Sequence, residues 1–225
     1  RLPATRMMDQ LLDRAEIDSG VMRTLARVLV RFHAEAPTGP GVDEHGGPTA
    51  VRAVVEENLS HLVEGTSPLL HHHLARAVDA FLAGHRSLLE RRVAEGRIRD
   101  GHGDLHAGNI CILPDGPIIY DCIEFSDAFR CGDVAADLAF LAMDLDHRCF
   151  RAFAGELVHR YVEASHDAEL ERVLPFYKLH RALVRARVAR LAGDAATATD
   201  YLHLAASYTL GPALILTCGL PGSGK

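Results

Sequence analysis

Along most of the chain, apolar side chains recur at intervals of three and four, the repeat of one helix face. Met8, Leu11, Leu12 and Ala15 mark a short first helix, and Val21, Leu25, Val28, Leu29 and Phe32 stripe a second. From Pro37 to Pro48 glycines and prolines replace the stripe, so this stretch reads as a loop. Val51, Val54, Val55, Leu59 and Leu62 restore it, and Leu70, Leu74, Val78, Phe81, Leu82, His85 and Leu89 carry one longer helix that ends near Gly96. In the second half, Asp133 opens a helix that runs to about His147, because an aspartate at a helix start complements its dipole. Helices over 149–164 and 168–191 follow, the latter striped by Val173, Tyr177, Val184, Val188 and Leu191, and a last one covers about 195–208.

One stretch breaks the helical repeat. Asn109 to Leu113 and Pro117 to Asp121 are short apolar runs on either side of Pro114-Asp115-Gly116. A three-residue loop with glycine last predicts a type I turn followed by a left-handed residue. In that register Leu113 faces Pro117, Cys111 faces Ile119 and Asn109 faces Asp121. Partners directly opposite in an antiparallel pair lie about 4.5–5.5 Å apart at Cα, close enough for two oxygen ligands to share a cation. The fold class is therefore mainly α with a small β-hairpin (α+β).

Composition narrows the picture. A chain of 225 residues with 48% hydrophobic content can build one sizeable core. A net charge of −6 with 24% charged residues leaves no basic footprint for nucleic acid. No apolar run approaches the roughly 18 residues of a membrane span. Cys111, Cys122, Cys131, Cys149 and Cys218 show no C-x-x-C spacing and read as reduced thiols rather than a disulfide framework or zinc site. A cytoplasmic globular protein is the expectation.

The chemistry concentrates in His102-Gly103-Asp104-Leu105-His106-Ala107-Gly108-Asn109, followed twelve positions later by Asp121. This is the H-x-D-x-x-x-x-N spacing with which kinases arrange catalysis. In kinases the first aspartate of this pattern accepts a proton from the attacking hydroxyl, while the asparagine and the second aspartate hold magnesium.

The segment from His102 to Asp137 resembles the catalytic core of the aminoglycoside phosphotransferase-like families, which share the protein-kinase fold. Their H-G-D-x-x-x-x-N, I-D-x-E and G-D-x-x-x-D-L-A patterns are met by HGDLHAGN, YDCIEF and GDVAADLA. The resemblance implies the C-terminal helical lobe of that fold, with Asp104 as catalytic base and Asn109 and Asp121 as Mg2+ ligands. It also implies ATP or GTP as donor, a small-molecule hydroxyl as acceptor, and Asp133 as the residue that braces the catalytic loop by accepting its N–H groups. His102 and His106 are supporting residues in this scheme. Glu124 stands three residues after Asp121, where the common pattern has two, and this variant resembles a bacterial subgroup fused to a P-loop domain.

The end of the chain agrees with that subgroup. Ala213 to Cys218 reads as a buried strand before Gly219-Leu220-Pro221-Gly222-Ser223-Gly224-Lys225, a G-x-x-x-x-G-K loop of the kind whose N–H groups cradle phosphates. Residues 1–210 are thus expected to be the helical lobe without its smaller N-terminal partner lobe, and residues 211–225 the start of a P-loop domain. Such a segment is expected to bind nucleotide weakly and to turn over negligibly by itself.

Other readings compete at particular residues. His102, Asp104 and His106 also spell H-x-D-x-H, a metal-dependent hydrolase cluster. The lobe could alternatively serve as a ligand-binding or regulatory module beside a catalytic P-loop domain, a reading that the complete Asp104, Asn109 and Asp121 set argues against. Arg181, Arg185, Arg187 and Arg190 read most simply as a solvated helix face, His71-His72-His73 as an ordinary one, and Asp144 and Asp146 as surface or supporting carboxylates.

Overall fold

The computed structural model describes residues 2–210. The apolar stripes become helices whose ends are fixed by local chemistry. After α1 (Met8–Asp13), the Asp18 side chain accepts from the Val21 N–H and starts α2 (Ser19–Glu35). The glycine-rich stretch expected to be a loop holds one short helix, α3 (Pro40–Asp43). Prolines at the first turn open α4 (Pro48–Ser60) and α5 (Pro68–Gly84). The single helix expected up to Gly96 is broken: α6 (Arg86–Ala94) starts after His85, which leaves helical geometry at φ −122°. Gly84 weakens the joint, and the His85 ring lies stacked on Phe81 at 4.3 Å.

Strand β1 (Ile98–Asp100) follows, then the hairpin strands β2 (Ile110–Leu113) and β3 (Gly116–Ile119). After the short α7 (Asp127–Arg130), β4 (Cys131–Asp133) pairs antiparallel with β1, Ile98 opposite Asp133. Three-residue strands show no alternation, so neither announces itself in the sequence. Among the described residues, α8 (Val134–His147), α9 (Arg151–Ser165), α10 (Leu170–Leu191) and α11 (Ala195–Ser207) follow. The result is mainly α with two small two-stranded sheets.

Helix α8 is the axis of the core. It buries eleven of its fourteen residues and packs against α9 and α10, while α10 packs in turn on α11. Such all-round burial explains why α8 carries little amphipathic contrast, unlike α2, which buries only Met22, Leu25, Ala26, Leu29 and His33.

A buried ion cluster locks the entry to α8. Arg92, fully buried, holds both Asp133 oxygens at 2.5 and 2.7 Å and both Asp167 oxygens at 2.9 Å. Asp133 also caps α8 by accepting the Ala135 N–H at 2.9 Å. Arg97, with Nε 3.8 Å from Asp167, brings a second positive charge to the pair of carboxylates. Removing Arg92 would strand buried charge. Arg92→Met is therefore expected to lower the unfolding free energy by about 3–5 kcal/mol in urea titrations. A loss below about 1 kcal/mol would show that the cluster is not a constraint on folding.

Candidate active site

The loop from Gly101 to Asn109 joins β1 to β2, and α8 holds it from one side. Asp137 accepts the His102 N–H at 2.7 Å with one oxygen and the Gly103 N–H at 2.9 Å with the other. Two turns further on, Asp144 accepts the Ala107 N–H at 2.9 Å. The loop can come this close only without side chains. A Cβ at Gly101 would stand 2.6 Å from Asp137 Oδ2, and Gly103, at φ +80°, would meet the Phe129 carbonyl at 2.7 Å.

The brace is therefore Asp137, not Asp133 as expected. The two lie one turn apart, and Asp133 is wholly engaged as helix cap and as partner of Arg92. Behind Asp137, His33 Nε2 stands 3.4 Å from Oδ2, and its Nδ1 lies 2.7 Å from the Tyr161 hydroxyl. Burial drives the Asp137 carboxyl pKa upward, but His33, Arg181 and the His102 N–H outweigh it and leave it at about 2. It is a permanent anion in the protein interior.

Asp104 sits at the mouth of the loop, its side chain 38% exposed. Asn109 Nδ2 donates to the Asp104 carbonyl at 3.0 Å and to its Oδ2 at 3.2 Å. His106 Nδ1 accepts the Gly108 N–H at 3.1 Å, which directs Nε2 to 3.5 Å from the same Oδ2. Burial raises the Asp104 carboxyl pKa, yet the His106 contact and the charges of Arg185 and Arg181 bring it below its ordinary value. Asp104, Asn109 and His106 thus form one hydrogen-bonded and electrostatic unit.

Asp121 is reached through His102. The His102 ring donates from Nε2 to the Tyr120 carbonyl at 2.9 Å and accepts the Asp104 N–H on Nδ1 at 3.2 Å. Its own carbonyl accepts the Ile123 N–H at 3.0 Å, so contacts on both sides of Asp121 end at one histidine. Both ring nitrogens are occupied, which removes His102 from the H-x-D-x-H metal set. Among the described residues, no group of three or more His, Cys, Asp or Glu side chains is gathered for a metal ion.

The hairpin register differs from expectation by one residue. Leu113 pairs with Gly116, Cys111 with Ile118 and Ile110 with Ile119, leaving Pro114-Asp115 as the turn. Gly116, at φ +129°, takes a strand position that other residues rarely adopt. Asn109 consequently faces Tyr120, whose N–H it accepts at 3.2 Å, rather than Asp121. Asp121 leaves the strand at φ +63°, in the left-handed region that aspartate tolerates better than most residues. It is exposed in the wall of a second small cavity shared with His102 and Tyr120. Glu124 is exposed on the following segment. Gly219, Gly222, Ser223, Gly224 and Lys225 lie outside the described residues.

Asp104 also lines a cavity of about 480 Å³ between the loop, α4, α7 and α10. Sequence reasoning missed its inner wall. Arg181, expected in solvent, is buried: Nε donates to the Ala136 carbonyl at 3.2 Å and the guanidinium lies 4.9 Å over the Phe140 ring. Its place on the stripe with Tyr177 and Val184 was the available signal. His180 is buried beside it, with Nε2 3.4 Å from Asn58 Nδ2.

Residues 2–177 match the family described as the phosphotransferase enzyme family. Uncharacterized proteins of Mycobacterium bovis and Mycobacterium tuberculosis are 33% identical over 218 residues. The match covers 92% of this chain and 44% of theirs, so the chain spans under half the length of these relatives. A crystal structure of choline kinase from Cryptosporidium parvum Iowa II superposes with a TM-score of 0.55 at 10% identity, over 90% of this chain and 66% of that one. That likeness shows a kinase-like fold.

Burial, and then the neighbouring Arg181 charge, hold the His180 imidazole neutral down to about 3. The unfolded chain takes up that proton near the ordinary 6.5, so stability present above pH 6.5 is lost as pH falls toward 3. By pH 5 this one group is expected to remove about 2 kcal/mol, and His180→Gln to flatten that part of the urea-derived pH profile. An unchanged slope in the variant would refute the assignment.

Proposed function

The chain belongs to the phosphotransferase enzyme family, and from that premise we propose that Asp104 directs transfer of the γ-phosphoryl group of ATP or GTP to the hydroxyl of a small molecule. The observation that carries the reading is the state of the Asp104 carboxylate. Oδ2 is held by Asn109, with His106 nearby, while Oδ1 has no hydrogen-bond partner among the described residues and the side chain borders the large cavity. A hydroxyl entering that cavity meets a fixed, ionised acceptor.

A carboxyl held below its ordinary pKa is a weak base. It suits a loose phosphoryl-transfer transition state, in which the nucleophile needs orientation first and surrenders its proton late. Positioning is then the larger share of the work. Asp104 receives the hydroxyl hydrogen, His106 and Asn109 keep the carboxylate from turning, and Asp137 keeps the loop itself from moving.

In this reading Asn109 and Asp121 would hold magnesium, Asp121 standing in the wall of the second cavity and Asp104 in that of the first. With Nδ2 committed to Asp104, the oxygen end of the Asn109 amide is left for a hard cation, and the exposed Asp121 carboxylate is a second hard ligand. Bound there, magnesium would neutralise charge on the β- and γ-phosphates. Through its ring, His102 ties the backbone beside Asp121, at the Tyr120 carbonyl, to the Asp104 N–H.

Because the curated relatives are much longer, the test uses the full-length polypeptide that carries this segment. In assays with magnesium, nucleotide and a panel of hydroxyl compounds, Asp104→Asn is expected to lower kcat about 10²–10⁴-fold. Asp121→Asn is expected to raise the magnesium concentration needed for half-maximal rate. Lys225→Ala is the comparison: transfer lost there and kept in Asp104→Asn would assign the chemistry to another domain.

A further inference from the structure

The cavity beside Asp104 has a composition that selects among acceptors. Three carboxylates line it, Asp104, Asp133 and Asp137. Asp133 has both oxygens on Arg92, and Asp137 has both on loop N–H groups. Only Asp104 keeps an oxygen without a hydrogen-bond partner among the described residues. Against it stand four arginines in the same lining, Arg99, Arg130, Arg181 and Arg187. Arg130 is paired with Asp100 and Asp127, and Arg187 with Glu57 at 3.2 Å, so these arginines bring no strong net attraction for an anion. His180, neutral, and Asn58 supply polar atoms without charge at the inner end.

The mouth of the cavity is apolar to an unusual degree. Phe125 is 82% exposed, Phe129 38%, Val188 46% and Leu191 81%. These are four of the nine large hydrophobic side chains exposed among the described residues, and all four line this one cavity. They come from two separate places, the segment leading into α7 and the last turns of α10. Phe125 and Phe129 meet edge to face at 6.4 Å, which presents a ring surface to an occupant. Exposed apolar side chains concentrated at one opening mark a binding site, and about 480 Å³ lies within the range of small-molecule pockets.

We propose that the acceptor is an uncharged, predominantly apolar alcohol, its body covered by Phe125, Phe129, Val188 and Leu191 and its hydroxyl delivered to Asp104. A polyamine sugar or other multiply cationic acceptor would find one available carboxylate for its several charges and would leave the apolar mouth uncovered. The proposal names the acceptor class of the phosphotransferase reading and rests on it.

Binding without nucleotide tests the occupant separately from the chemistry. Phenylpropanol, phenylpropylamine and the diaminocyclitol deoxystreptamine are titrated into the full-length polypeptide and followed by saturation-transfer NMR. Phenylpropanol is expected to bind at least about tenfold tighter than its amine counterpart, and deoxystreptamine to show no saturable binding. Changing Phe125 and Leu191 together to Ser is expected to weaken phenylpropanol about tenfold. Both side chains are largely exposed, so the melting temperature serves as the check that the variant is folded. Tighter binding of the diamine, or phenylpropanol affinity unchanged in the folded variant, would overturn the proposal. Phosphoryl transfer to deoxystreptamine would overturn it while leaving the phosphotransferase reading intact. Alcohol binding in a protein that transfers no phosphate to any alcohol would support the pocket assignment and count against that reading.

Discussion

Two consecutive backbone N–H groups, those of His102 and Gly103, end on the two oxygens of one buried carboxylate, Asp137. The rest of the site depends on that contact. An unsatisfied buried N–H costs about 1–3 kcal/mol, so the loop has little freedom to leave. The carboxylate has equally little freedom to lose its charge, because His33, Arg181 and those same N–H groups hold it ionised. Asp137 belongs to α8, the most deeply buried helix, so the loop carrying Asp104 takes its rigidity from the centre of the core rather than from its own sequence.

The sequence announces the helices because their apolar stripes are long and their caps local. It announces the loop chemistry for a similar reason, since Asp104, His106 and Asn109 fall within six residues and meet through short-range contacts. Where reading and structure part, the deciding contact is distant. Asp133 and Asp137 are equally placed as helix-start carboxylates, and only Arg92, from α6, and the loop from β1 separate cap from brace. Gly116 reads as the end of a turn but serves as the first residue of a strand, which moves the hairpin register by one. Arg181 looks solvated by its charge, yet Ala136 and Phe140 of α8 provide a carbonyl and a ring to bury it.

Charge in this interior is distributed by pairing rather than by avoidance. Arg92 is shared by two carboxylates, and His180, lacking an opposite charge, remains neutral. The lining of the large cavity follows the same pattern, with its ionic groups mostly satisfied within the protein. Asp104 stands out against that background. Of the three carboxylates that line the cavity, it alone has an oxygen without a hydrogen-bond partner among the described residues.

His102 gives the arrangement a further property. Its ring and carbonyl reach Asp104, Tyr120 and Ile123, so the segment bearing Asp121 and the loop bearing Asp104 are joined at one residue. Under the proposed reading, such a link would keep the spacing of the two carboxylates from depending on either segment alone.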